Sequence, residues 1–223
     1  MKKKFVLFVL FVLPLAAYLF FASGVNSFAK LPILTKSLPE ITSWKSDSKT
    51  PIQLQNKITI LGFTGTDFKN RRGNFFNLYE KICKKDEQFK EFQVVFIAPI
   101  GTEKKIDSLV IDLKKLGSIV GWKFVFATNI QINQFYNQMK LQTKLDQDLG
   151  SQMVYIIDKK RNLRGRKGKS EKGEEEYKEG YNTSLVSELH NEMTDDVKVI
   201  LAEYRLALKI NHNASKKLEY REK

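Results

Sequence analysis

A short apolar run, Lys57-Ile-Thr-Ile-Leu-Gly-Phe63, opens the folded part of the chain. Its length and its β-branched residues are typical of a strand that is buried on both faces. A polar loop over residues 64–73 follows it. Residues 74–89 then repeat apolar side chains at nearly helical spacing, and Asn74 is the predicted N-cap. This strand–loop–helix unit predicts the start of an α/β domain.

The same alternation continues toward the C-terminus. The later strands are predicted as short apolar runs at residues 92–98, 122–126 and 153–157, with a fifth strand starting at Leu163. The later helices are predicted to begin at Thr102, Ile130 and Ser184. Alternating strands and helices indicate a parallel core with right-handed crossovers, and the late strand pair indicates an antiparallel edge. This is the element order of a thioredoxin-like α/β domain, which we expect over residues 57–209.

The N-terminal segment is typical of a membrane anchor. A basic end at residues 1–4 precedes an apolar run at residues 5–22, which is about as long as the shortest helix that crosses a bilayer. The positive-inside rule places residues 1–4 in the cytoplasm. The following domain then lies outside it, most simply on the periplasmic side of a bacterial inner membrane. The alternative is a signal peptide cleaved near Ala22-Ser-Gly24, which predicts the same compartment.

Three further segments are set apart by their composition. Residues 23–56 contain prolines among Ser, Thr and Lys, which predicts an extended stalk or arm. Residues 166–181 form a highly charged run and are expected to be a solvated loop. Residues 210–223 are expected to be a polar tail.

The charge and the cysteine count exclude several functions. The formal net charge is +13, but no finger spacing, RNA-binding motif or basic heptad region accompanies it, so we expect no nucleic-acid partner. Cys83 is the single cysteine, which excludes an intramolecular disulfide and a dithiol redox centre. Its position on a predicted helix face favours a buried small hydrophobe over a nucleophile.

Two stretches carry a family resemblance. They are Ile58-Thr-Ile-Leu-Gly-Phe-Thr-Gly-Thr-Asp-Phe-Lys-Asn-Arg71 and Gly150-Ser-Gln-Met-Val-Tyr-Ile-Ile-Asp158, the latter followed by Asn-Leu-Arg-Gly165. With the apolar N-terminus and Asp195-Asp-Val-Lys-Val-Ile-Leu201, they resemble the Sco/SenC family. The resemblance implies a membrane-anchored thioredoxin-like protein that binds copper and assists assembly of cytochrome c oxidase.

The family's copper ligands are two cysteines of a Cys-Pro-x-x-Cys-Pro motif and one histidine. Aligned on the two stretches, these positions hold Thr66, Asn70 and Gly150 in this chain. A hydroxyl and an amide are hard, weak ligands for Cu(I), and glycine offers no side chain. The resemblance therefore implies a degenerate member that has no copper site or other cofactor.

The sequence favours a non-catalytic, Sco-like accessory or scaffold factor in respiratory oxidase assembly. Its expected partners are the membrane and a respiratory-complex subunit or another envelope protein. One alternative is a copper chaperone or thiol-redox protein that uses an unaligned site, and another is an envelope interaction module unrelated to respiration. The predicted contact surface is the basic turn that contains Arg161, Arg164, Arg166 and Lys167.

Overall fold

The computed structural model describes residues 30–205 except 47, 49, 68, 85–88, 90 and 170–172, together with residues 3, 6, 8 and 10–15. Its strands are β1 (Ile33–Thr35), β2 (Lys45–Ser46), β3 (Ile58–Thr64), β4 (Phe92–Pro99), β5 (Trp122–Ala127), β6 (Gly150–Ile157), β7 (Leu163–Arg164), β8 (Arg166–Lys169), β9 (Glu175–Lys178) and β10 (Tyr181–Asn182). The apolar runs predicted as strands at residues 57–63, 92–98, 122–126 and 153–157 each form a strand.

Four helices connect or follow these strands. The first, α1, covers Arg72–Leu78, after a 3₁₀ turn at Lys69–Arg71, and continues into a π-helical turn at Tyr79–Cys83. The next two are α2 (Glu103–Leu116) and α3 (Asn129–Met139). The last, α4, begins at Val186–Glu188, passes through a π-helical turn at Leu189–Met193 and is α-helical over residues 194–205.

One mixed sheet contains eight of the described strands, in the order β1-β7-β6-β3-β4-β5-β2, with β10 also paired to β6. The strands β3, β4 and β5 are parallel. By contrast, β6 is antiparallel to β3, and β7 is antiparallel to β6. The parallel core and the antiparallel edge predicted from the element order are therefore confirmed.

Both faces of the sheet are buried, which explains why its central strands are predominantly apolar. On β3, Ile58 and Ile60 face a core that includes residues of α1, α2 and α4. On the same strand, Leu61 and Phe63 face a second core that is covered by α3 and the N-terminal segment. Cys83 is 2% exposed within the first core, which confirms that it packs as a buried side chain.

Residues 23–56 were expected to be an extended stalk or arm, but their described part packs on the domain. Leu38, Ile41 and Leu54 are fully buried against the sheet, and β1 and β2 extend its two edges. The Glu40 carboxylate accepts backbone hydrogen bonds from Leu54 at 2.7 Å and Gln55 at 3.0 Å. The segment belongs to the domain because α3 alone leaves part of one sheet face uncovered.

Residues 166–181 were expected to be a solvated loop, but their described part forms a β-hairpin. The strands β8 and β9 form a hairpin in which Lys169 lies opposite Glu175. Its second strand is tied to α4, since Lys178 Nζ lies 3.0 Å from a Glu188 carboxylate oxygen. Opposite charges that face each other across two strands, as Lys169 and Glu175 do, stabilise the pairing, whereas the composition alone indicates only a charge run.

The starts of several elements differ from the prediction by one to three residues, and three predicted segments stay largely untested. Helix α1 begins at Arg72 instead of Asn74, and β6 begins three residues before the predicted start. Among the described residues, no helix has both the length and the apolar character needed to cross a bilayer. The membrane helix predicted at residues 5–22 is described only at 6, 8 and 10–15, and the ends at 1–4 and 210–223 lie outside the described residues apart from Lys3.

Candidate functional site

The three positions aligned with the family's metal ligands meet at the carboxyl end of β3. Gly150, the first residue of β6, is paired with Thr64, the last residue of β3. The Thr66 backbone N–H then donates to the Asp148 carbonyl at 2.9 Å, which holds the loop after β3 against the loop before β6. Asn70 lies in the 3₁₀ turn just before α1, and both Thr66 and Asn70 are exposed.

The guanidinium group of Arg71 lies at the centre of this site. Its Nη1 donates to Asp146 Oδ2 at 2.7 Å, and its Nη2 donates to Asp148 Oδ2. The same Nη2 also reaches the carbonyl oxygens of Asp67 at 3.1 Å and Thr64 at 3.3 Å. With a side chain that is only 14% exposed, Arg71 joins the loop after β3 to the loop before β6.

The two aspartates are themselves held in place by the backbone. Asp148 accepts hydrogen bonds from the N–H groups of Gly150 at 3.1 Å and Asp67 at 3.2 Å. The Asp146 backbone N–H donates to the Gly150 carbonyl at 2.9 Å, and the Leu149 N–H donates to the Asp146 backbone carbonyl at 2.9 Å, which closes a tight turn. Leu149 adopts a left-handed φ of 64° in this turn. The Asp148 carboxylate is thus held by backbone N–H groups, and the Asp146 backbone is held in the turn, with both side chains bonded to the guanidinium.

Two glycines make room for this arrangement. A Cβ at Gly150 would lie 2.3 Å from Arg71 Nη2, and a Cβ at Gly65 would lie 2.5 Å from Asp148 Oδ2. Gly65 also has a φ of +71°, which L side chains rarely adopt. Any side chain at position 150 therefore requires Arg71 to move away. The glycine at the family's histidine position and the arginine are structurally coupled.

This donor set does not fit copper. Thr66 and Asn70 are exposed, and Gly150 lies under a permanently charged guanidinium, which repels a second cation. The neighbouring oxygens are hard carboxylate and carbonyl donors, whereas Cu(I) prefers thiolate and imidazole. Nowhere in the described part of the chain do three or more His, Cys, Asp or Glu side chains form a group that could hold a metal.

The space beside Arg71 is also very small. The cavity bounded by Thr64, Arg71, Asn74 and Ser151, among other residues, measures about 10 Å³. That is about the room one water molecule needs, so no organic substrate fits without movement of the surrounding loops. Cys83 is 12 residues further along α1 and its π turn, or about 18 Å at the helical rise of ~1.5 Å per residue, so it does not reach this place.

The predicted contact surface is not formed by the four basic residues together. Arg164 is 4% exposed, and its guanidinium bonds Asp158 at 2.9 Å, Glu203 at 2.7 Å and the Leu31 carbonyl at 2.7 Å. A buried cation needs such partners, so Arg164 holds the chain together instead of meeting a partner protein. The prediction for this residue was wrong.

Arg166 has a similar internal role. Its Nε lies 2.7 Å from Asp196 Oδ2, and its Nη1 lies 3.0 Å from Glu176. The hydrogen bond that the guanidinium donates to Asp196 outweighs desolvation and raises the pKa of Arg166. Burial, together with the charge of Asp196, raises the pKa of the neighbouring Tyr181 hydroxyl, which donates to the same carboxylate. Of the predicted surface, Arg161 is half-buried and only Lys167 is fully exposed.

Sequence reasoning missed the residue that dominates the site. In the sequence Arg71 only ends a family-like stretch, and neither Asp146 nor Asp148 is among the predicted site residues. The available signal was an arginine next to the second aligned ligand position and an Asp-x-Asp pair just before the third. A cation lies beside one aligned ligand position and two carboxylates lie beside another, while the metal-binding side chains are missing. This combination predicts an ion pair in place of a metal.

Comparison with known proteins supports the fold. No family model and no curated protein matches the sequence. Among solved structures, BsSco, described as a member of the Sco family of cytochrome c oxidase assembly proteins with a disulfide switch, has a TM-score of 0.51 at 13% identity. The alignment covers 76% of this chain and 92% of that protein.

Two other solved structures are similar at lower scores. Copper-bound ScoI from Arabidopsis thaliana has a TM-score of 0.45 at 17% identity, over 73% of this chain and 98% of that one. The thioredoxin domain of a thiol-disulfide oxidoreductase from Bacteroides vulgatus has a TM-score of 0.45 at 11% identity, over 76% and 98%. Together with the sheet order, the likeness to BsSco shows that this chain has a mixed α/β, thioredoxin-like fold.

Proposed function

We propose that this chain is a non-catalytic, Sco-like protein that is anchored in a membrane and acts as an accessory or scaffold factor in respiratory oxidase assembly. One observation carries the proposal: the Arg71 guanidinium lies over Gly150 between Asp146 and Asp148, where the family's ligand positions meet. A chain that keeps the fold but places an ion pair at this point acts through its surface.

The charges of the cluster support the loss of metal chemistry. Both carboxylates already accept from the Arg71 guanidinium, and Asp148 also accepts from two backbone N–H groups, so a metal ion would have to displace Arg71 and break these hydrogen bonds. A thiol mechanism lacks a second sulfur, and the one thiol is 2% exposed in the core. The link to oxidase assembly rests on the resemblance of the two sequence stretches.

Copper titration of the full chain in detergent, under reducing conditions and against a Cu(I) chelator, tests the first part. We expect no stoichiometric Cu(I) binding, and we expect Cys83→Ser to leave the titration unchanged. Tight one-to-one binding that Cys83→Ser abolishes would establish the alternative of a copper or thiol protein with an unaligned site.

Affinity purification from detergent-solubilised membranes tests the second part. The tagged full chain is compared with the same tag on residues 1–29 alone, which controls for capture by the apolar segment. We expect oxidase subunits to be recovered with the full chain and not with the control. If other envelope proteins are recovered without them, the chain is an interaction module unrelated to respiration.

A further inference from the structure

The amino ends of the parallel strands form one end of the domain, which we call the basal surface. Its residues are Lys36, Lys57, Glu91, Lys114, Lys115, the loop at residues 117–121 and the turn at residues 158–161. Lys57, Glu91 and the loop directly precede β3, β4 and β5. The turn lies at the same end because Ile157, the last residue of β6, is paired with Thr59 near the start of β3.

Two other segments reach this end. Helix α2 runs back along the sheet from the end of β4 to the loop before β5, so its C-terminal lysines, Lys114 and Lys115, lie here. The chain after β1 also arrives here, since the Leu38 N–H donates to the Arg161 carbonyl at 2.8 Å. Lys36 therefore lies beside the turn.

The basal surface has an excess of positive charge. Glu91 is paired with Lys159, and Asp158 is 1% exposed and shares Arg164 with Glu203, so both acids already have a cationic partner. In contrast, Lys36, Lys114 and Lys160 are exposed, and none has an ion-pair partner among the described residues. The unbalanced charge is therefore positive.

An apolar side chain projects from the middle of this basic surface. Val120 is 81% exposed in the loop between Gly117 and Gly121, and Leu116 just before the loop is 40% exposed. Lysines precede the loop at positions 114 and 115 and follow it at 123. An exposed apolar residue among lysines matches the interface of an anionic bilayer, where the ammonium groups meet headgroups and the apolar group enters the acyl boundary.

We propose that the basal surface docks onto anionic phospholipid headgroups, with Val120 inserted at the interface. This inference rests on the membrane anchoring in the proposed function. Only residues 23–29 separate the predicted membrane helix from Lys30, a span of at most about 25 Å when fully extended. Leu31 is already fixed to the domain through the Arg164 guanidinium, so some face of the domain must lie close to the bilayer. The basal surface is the face whose chemistry suits it.

Docking in this orientation has a functional consequence. The carboxyl ends of β3, β4 and β5, with the Arg71 cluster, then face away from the bilayer. Ile130, which follows β5 at that end, is 69% exposed and would remain in water. The Arg71 end of the domain is thereby left open to a partner protein.

Quenching of a fluorophore by lipid tests this orientation. The full chain is reconstituted in nanodiscs containing phosphatidylglycerol and doxyl-labelled lipid, with an NBD label on V120C or, as the matched control, on I130C. Cys83 is 2% exposed and does not compete for the label. We expect at least about threefold stronger quenching at position 120 than at 130, since only the first lies at the interface.

The electrostatic part of the proposal has its own control. In phosphatidylcholine alone, or at about 1 M salt where the screening length is ~3 Å, quenching at position 120 should fall to the level at 130. Introducing K114E together with K160E should have the same effect in phosphatidylglycerol. Equal quenching at the two positions in a chain that inserts into the nanodisc would overturn the docking alone. A chain that does not enter the nanodisc would overturn both the anchoring and the docking.

Discussion

Replacing Gly150 by alanine tests whether Arg71 fills the site as described. The new Cβ would lie 2.3 Å from Arg71 Nη2 and 2.5 Å from its Cζ, so the guanidinium must leave. Because it is the end of a flexible side chain, the steric cost is small, and the loss is that of its ion pairs. The Asp148 carboxylate is 24% exposed and the Asp146 carboxylate 58% exposed. We expect about 1 kcal/mol from the first and ~0.5 kcal/mol from the second.

The expected change is therefore a destabilisation of about 1–2 kcal/mol, or roughly 4 °C in the unfolding midpoint of a domain of this size. Near-UV circular dichroism of the full chain in detergent measures it. The matched control is the same substitution in an Arg71→Ala background, where the guanidinium is absent and the cost should fall below about 0.5 kcal/mol. An equal loss in both backgrounds would refute the coupling of Gly150 to Arg71.

Three further outcomes follow from the buried polar contacts. Arg164→Met should destabilise the fold by about 3–5 kcal/mol in urea unfolding, because it leaves the buried Asp158 carboxylate unpaired, and adding Asp158→Asn should restore part of this. Tyr181→Phe should cost about 1–2 kcal/mol, since Asp196 loses a buried donor, and an unchanged midpoint would argue against that contact. Burial, with a contribution from the charge of Asp158, raises the pKa of Tyr204 to about 12 from 10.0. The protonated phenol thus stabilises the fold fully below pH 10.0, and this contribution is lost as the pH rises toward 12. In unfolding curves across that range, Tyr204→Phe should show a smaller alkaline loss than the unmodified chain.

The basal surface and its proposed orientation toward a membrane could not be predicted from the sequence. Lysines 114 and 115 were visible as part of an amphipathic helix, but their meeting with Lys36 and Lys160 depends on which strand ends lie together. The sequence instead predicts a contact surface between Arg161 and Lys167. Two of its guanidinium groups are used inside the fold, because carboxylates of α4, which lie 30 and 39 residues further along the chain, approach them.

The N-terminal segment shows a second limit. Its prolines and lysines are typical of a linker, and the burial of Leu38, Ile41 and Leu54 leaves no periodic pattern in so irregular a stretch. The segment packs on the part of the apolar sheet face that α3 leaves uncovered. This apolar face exists only when the strands have assembled.

The sequence by itself determined the α/β order, the double burial of the central strands and the absence of a second thiol. These follow from local patterns: strand and helix periodicity over a few residues, and the count of one residue type. Only the tertiary structure decided what fills the end of β3. Arg71 finds its carboxylates 75 and 77 residues away, and a single charged side chain leaves no periodic trace in the sequence. Gly150 had shown that a ligand was missing, whereas the fold showed that a guanidinium occupies the position.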